Sequence, residues 1–128
     1  MLAMTWNLRG LRKAEKRRMV KKVVLSQNPA VLFVQESKLC VFDSHITRSI
    51  GGTILTRGIG VDAVGSAGGL FTLWNEDSVT IKGYISNQWC IILVGILNKI
   101  GEEVVLCNVY ASNSENEIRE LWSFICNA

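Results

Sequence analysis

The sequence predicts an α/β fold: a mixed, mostly antiparallel sheet with two main helices. Three observations predict it. Residues 2–34 read as strand, basic helix and buried strand. Four apolar runs between Gly69 and Tyr110 are separated by short polar turns, the mark of antiparallel neighbours. The last segment, from Ser114, carries both a helix start signal and a helical stripe.

Taken in order, Leu2-Ala3-Met4-Thr5-Trp6 reads as a short strand. A helix is expected from about Arg12 to Gln27, with Met19, Val20, Val23 and Val24 as an apolar stripe on its second half. Asn28-Pro29 stops it. Ala30 to Val34 is a continuous apolar run, which fits a strand buried on both faces. Residues 37–50 read as a loop, and Thr53 to Thr56 as a short strand. Residues 58–69 hold five glycines, read as turns and a bulge. No Gly-Lys-Ser/Thr follows them, so a nucleotide-cradling loop is not indicated. The strand runs Gly69–Trp74, Val79–Ile85, Trp89–Leu97 and Val104–Tyr110 come next, joined by turns at 75–78 and 98–101. Ser114-x-x-Glu117 is a capping box, and Ile118, Leu121, Trp122 and Ile125 give an i, i+3, i+4, i+7 stripe.

With 128 residues, 48% apolar and 20% charged, the chain holds one small domain with a real core. The longest apolar run, Cys90 to Leu97, is too short to span a bilayer, and Met1 to Trp6 is too short for a signal sequence. The expectation is an intracellular protein, nuclear or cytoplasmic, not secreted and without a membrane partner. The four cysteines form no Cys-x-x-Cys pair and read as reduced, those at 90 and 107 acting as small apolar residues within strands. Residues 1–22 hold eight basic side chains against Glu15 alone, a net +7. The whole chain is +3, so the remainder is −4. A basic block on an acidic body points to a polyanion near the first helix. Lys13, Arg17 and Lys21 repeat at i, i+4, i+8, and such like-charge pairs weaken a helix unless a phosphate backbone or solvent relieves them.

Asn7 and Glu36 fall just past the ends of the first two strands, where open α/β sheets bind ligands. A carboxylate after a buried strand is costly unless paired or metal-bound, so Glu36 suits either a cation or a salt bridge to Lys38 or the first helix. Asn7 suits a neutral carbonyl ligand or a turn before Gly10. Oxygen donors alone favour Mg²⁺ over zinc or copper. Tyr110 ends a strand, as a ring over the core or a hydroxyl toward a phosphate, and Asn113 is a loop donor or a residue before the helix cap.

Trp6-Asn7-Leu8-Arg9-Gly10-Leu11, Pro29 through Gln35-Glu36-Ser37-Lys38, Gly68-Gly69-Leu70 with Trp74, and Asn108-Val109-Tyr110-Ala111-Ser112-Asn113 with Arg119-Glu120-Leu121-Trp122 stand in a telling order. In that order they resemble the endonuclease/exonuclease/phosphatase superfamily, and within it the apurinic-endonuclease-like domain of plant LINE-type retrotransposons. The resemblance implies a four-layer α/β sandwich of DNase I-like type. It implies phosphodiester cleavage with Mg²⁺ or Mn²⁺, on double-stranded DNA. By motif, Glu36 would be the metal ligand with Asn7 beside it, and Tyr110 would contact the scissile phosphate. Arg9, Arg12, Lys13, Arg17, Lys38 and Asn113 would hold the DNA backbone. Related repair nucleases often carry Asp where Arg9 stands. The family's Gly-Asp-x-Asn and Ser-Asp-His segments are absent from residues 1–128, and Asp43-Ser44-His45 lies too early to replace the latter. The resemblance therefore implies the first half of the domain, truncated, weakly active or inactive, with core surface exposed for self-association. The alternatives are a non-catalytic relic with weak DNA affinity and a phosphomonoesterase of the same superfamily.

Overall fold

A computed structural model describes residues 1–65, 67–110 and 115–127. The expectations for Asn113 and for the Ser114 capping box lie outside the described residues. Strand β1 (Ala3–Asn7) pairs in parallel with β2 (Val31–Gln35), in a register that sets Asn7 beside Gln35. Helix α1 (Ala14–Gln27) makes the crossover. Its end follows from Asn28, which turns into the left-handed region and donates its N–H to the Val24 carbonyl at 2.9 Å. The β-α-β opening is thus as expected. Of the predicted stripe, Val20 and Val24 are fully buried, each contributing about 1.5–3 kcal/mol of burial, while Met19 is exposed.

Three expectations are corrected downstream. The segment read as a loop contains helix α2 (Ser44–Gly51), started by Asp43, whose side chain accepts from the Ile46 N–H. His45 is therefore an exposed helical residue. The third strand, β3, is Arg57–Val61, inside the glycine-rich stretch, and not Thr53–Thr56. Gly60 explains why: a Cβ there would come within 2.4 Å of Phe42 Cγ. Glycine lets the Phe42 ring lie on the strand and stack on Phe71, with ring centroids 5.0 Å apart. Finally, β4 (Leu70–Trp74) and β5 (Val79–Ser86) are not neighbours. The turn at 75–78 passes from one sheet to another.

The first sheet runs β1-β2-β4-β3, with β4 antiparallel to both its neighbours. The second is an antiparallel meander of β5, β6 (Cys90–Leu97) and β7 (Glu102–Val109). Three clusters define four layers. Val20, Val24, Ile46 and Ile50 bring both early helices onto one face of the first sheet, around Leu32, Val34, Phe71 and Leu73. Val31 and Leu70 meet Ile91, Leu93 and Leu106 between the sheets. Helix α3 (Glu115–Asn127) covers Cys90 and Ile92 on the far face through Leu121, Phe124 and Ile125. Trp122, expected in that stripe, is 60% exposed, and so is Val105 on the outer face of β7. Cys107 is also exposed, against the expectation of a small apolar packing residue; all four cysteines are free, as expected. Among the described residues, no helix is long and apolar enough to cross a membrane.

Candidate metal and phosphate site

The two parallel strands end side by side, and their loops are laced together by main-chain bonds. Leu8, Gly10 and Leu11 donate to the carbonyls of Gln35, Glu36 and Ser37 at 3.1, 2.7 and 2.8 Å. Ser37 and Lys38 donate in turn to Gly69 and Gly68, both at 2.9 Å. This lacing holds Arg9, Glu36 and Lys38 at φ of 51°, 52° and 56°. Left-handed backbone costs a side-chain-bearing residue about 1–2 kcal/mol, and such residues cluster where a site dictates the geometry. Arg9→Gly is expected to raise stability by about 0.5–1 kcal/mol in denaturant unfolding, since relieved strain exceeds glycine's added chain entropy.

Glu36 is half-buried. The Tyr110 hydroxyl donates to its Oε1 at 2.9 Å, across 74 positions of sequence and from the other sheet. That bond, helped by burial, raises the Tyr110 pKa above its ordinary value of 10.0. The bond's contribution to stability is complete below the ordinary tyrosine pKa and is lost as pH rises through the elevated one. Among the described residues Glu36 forms no ion pair, so the salt bridge to Lys38 or to the first helix is not what holds it. Asn7 is exposed at the mouth of β1, next to Gln35 in register. The structure thus brings Asn7, Glu36 and Tyr110 to one end of the two sheets.

A cavity on the loops that follow β1 and β2 is lined by Arg9, Gly10, Arg12, Lys13, Lys16 and Lys38. Five of these six residues are cationic and none is acidic, so the cavity suits an anion. The basic residues divide into two kinds. Arg12 donates to the Lys38 and Gly65 carbonyls at 3.0 and 3.3 Å. Arg17 donates to the Leu11 and Arg12 carbonyls, both at 2.7 Å, and Lys16 bonds the Leu8 carbonyl. Lys16 and Arg17 fasten the loop onto α1, and Arg12 ties it to the loops at Lys38 and Gly65. Arg9, Lys13 and Lys38 complete the lining. Arg17 lies outside that lining, with its guanidinium engaged by the Leu11 and Arg12 carbonyls.

For a metal, the donor set is one carboxylate and one amide on adjacent strand ends. Among the described residues, no group of three or more His, Cys, Asp or Glu side chains converges. An all-protein cage is therefore not built here. One carboxylate with oxygen donors is, however, how Mg²⁺ is commonly held, with waters and phosphate completing the shell. The residues fit that mode.

No protein-family model matches the sequence, and no curated protein matches it. Solved structures do match in shape. AP endonuclease LMAP from Leishmania major is 19% identical with a TM-score of 0.61, over 91% of this chain and 42% of that one. Humanized D. rerio TDP2 is 12% identical with a TM-score of 0.65, over 97% and 54%. The catalytic domain of Xenopus laevis APE2 is 16% identical with a TM-score of 0.59, over 94% and 48%. The chain thus spans about half the length of each. The likeness is one of fold: two packed sheets flanked by helices, in the DNase I-like α/β architecture of those three proteins.

Proposed function

We propose that this chain is the metal- and phosphate-binding half of an Mg²⁺-dependent DNA endonuclease domain of retrotransposon type. The observation that carries the reading is Glu36, a half-buried carboxylate fixed at a strand mouth by Tyr110, with a cation-lined cavity on the adjoining loops. One of the three solved structures of the same fold is an AP endonuclease, which supports a phosphodiester substrate. A hard cation on Glu36 and Asn7 would polarise a phosphoryl oxygen and stabilise the leaving oxyanion. The chain's own residues do the rest. Arg9, Lys13 and Lys38 draw the DNA backbone into the cavity. Tyr110 holds the carboxylate through its one O–H, which would turn to a phosphate oxygen only when a cation takes over that carboxylate.

The group that activates water is not among the described residues near Glu36. The one histidine, His45, is exposed on α2. Groups of this kind act as a unit, so loss of one removes most of the catalysis. The experiment has two arms. Mn²⁺ relaxation measurements are expected to show a site in the natural chain that Glu36→Gln removes; no Glu36-dependent binding sinks the reading. Supercoiled plasmid with Mg²⁺ is expected to stay intact, while DNA binding weakens with salt and with Lys13→Glu. Nicking abolished by Glu36→Ala would show instead that the chain is self-sufficient. Salt-dependent binding with no metal site would leave a non-catalytic DNA-binding fragment.

A further inference from the structure

We propose that Asn108 is the positioning residue of this site, fixing the second sheet on the first so that Tyr110 meets Glu36. The inference rests on the site reading above and extends it. Along the inner face of β7 the residues are Val104, Leu106, Asn108 and then Tyr110. Val104, Leu106 and Tyr110 pack in the apolar cluster between the sheets. Asn108 breaks that pattern where only 1% of it is exposed. An amide buried there is unfavourable unless its polar atoms are satisfied, and they are. Its Nδ2 donates to the Phe71 carbonyl at 2.8 Å, and to the Val34 carbonyl and Thr72 Oγ1 at 3.2 Å each. Its Oδ1 accepts from Gln35 Nε2 at 2.8 Å.

Two features make this more than a satisfied core amide. Apolar contacts between sheets are non-directional and tolerate sliding, whereas hydrogen bonds fix one sheet against the other. Among the described residues, the hydrogen bonds from β7 and Tyr110 to the first sheet and its loops are those of Asn108 and Tyr110. The network also continues. Gln35 Nε2 reaches Thr5 Oγ1 at 3.1 Å, so β1, β2 and β7 are joined through Thr5, Gln35 and Asn108. These lie two, one and two residues before Asn7, Glu36 and Tyr110 respectively. One polar layer thus sits directly beneath the site and takes one member from each strand that supplies it.

The test uses the full chain and the ring signals of its tyrosines at neutral pH. There are two, Tyr84 and Tyr110, so carbon-13 labelling of tyrosine resolves both by NMR. In Glu36→Gln the Tyr110 Cζ signal is expected to move, which marks the bond to the carboxylate. Asn108→Leu keeps the branching at Cγ and removes the bonds. It is expected to move the Tyr110 Cζ signal in the same sense as Glu36→Gln, and to weaken Mn²⁺ binding by about 10–100-fold, the usual effect of losing an outer support. Should Asn108→Leu fail to fold, Gln35→Met cuts the same network at its half-buried end, with the same two changes expected. A folded variant whose Tyr110 signal stays where it is in the natural chain overturns the proposal. If the Tyr110 signal moves as expected but the natural chain binds no Mn²⁺, the functional reading fails and the sheet-fixing role stands.

Discussion

Phe71→Ala is expected to cost about 3–5 kcal/mol, the range for truncating a buried aromatic side chain. Phe71 is fully buried and tops the buried side chains by volume. It faces the helices, in the cluster that joins α1 and α2 to the first sheet. Its ring stacks on Phe42, which in turn rests on Gly60. Removing it leaves Phe42 with neither its partner nor a reason to cover β3. A domain of this size has about 5–15 kcal/mol in hand, so roughly a fifth or more of the stability would go. The melting temperature should fall by roughly 10–20 °C. A fall of only a few degrees would show that Phe42 and the helices collapse into the space.

Gly95→Ala should be nearly as damaging, by about 3 kcal/mol, through overpacking and not through a void. Gly95 lies on β6, the central strand of the second sheet, opposite Ile81 and Val104. A Cβ there would stand 2.3 Å from the Thr80 carbonyl oxygen and 3.1 Å from Ile81 Cα. Both obstacles are backbone, so no rotamer change relieves them. The bulge between Ile81 and Gly83 brings β5 this close. The variant should lower the denaturant midpoint and speed amide exchange along β5 before the rest. Unchanged protection in β5 would mean that the bulge can shift at little cost.

Much of the fold was legible because the responsible signals are local. A basic helix stopped by Asn28-Pro29 and followed by an unbroken apolar run has few other readings than β-α-β. The elements that escaped depend on distant partners. Helix α2 is only eight residues of modest helix formers, and it is held by Ile46 and Ile50 against α1. Asp43, three residues before Ile46, was the cap signal that could have revealed it. Strand β3 is glycine-rich because a ring from elsewhere lies on it, which no local window shows. The crossing between sheets at 75–78 looks the same in sequence as a hairpin.

The site divides in the same way. Asn7, Glu36 and Tyr110 could be singled out as candidates because strand ends and unexpected polar residues are visible in sequence. Asn108 was visible as part of a motif, and its polar side chain in the Val104, Leu106 alternation was the signal that it served the sheet interface. The retention of Arg12 and Arg17 by loop carbonyls was not legible. Charge spacing on a helix says nothing about which carbonyls lie within reach.

The left-handed backbone at Arg9, Glu36 and Lys38 means that three side chains are carried at a cost that glycine avoids, as at Gly68 and Gly69 across the loop, both of which also have positive φ. The three positions do not weigh equally. At Glu36, glycine would relieve the same strain but remove the carboxylate that receives the Tyr110 hydroxyl from the other sheet. The strained turn after β2 is thus also a clasp between the sheets, and loosening it for comfort would undo the clasp.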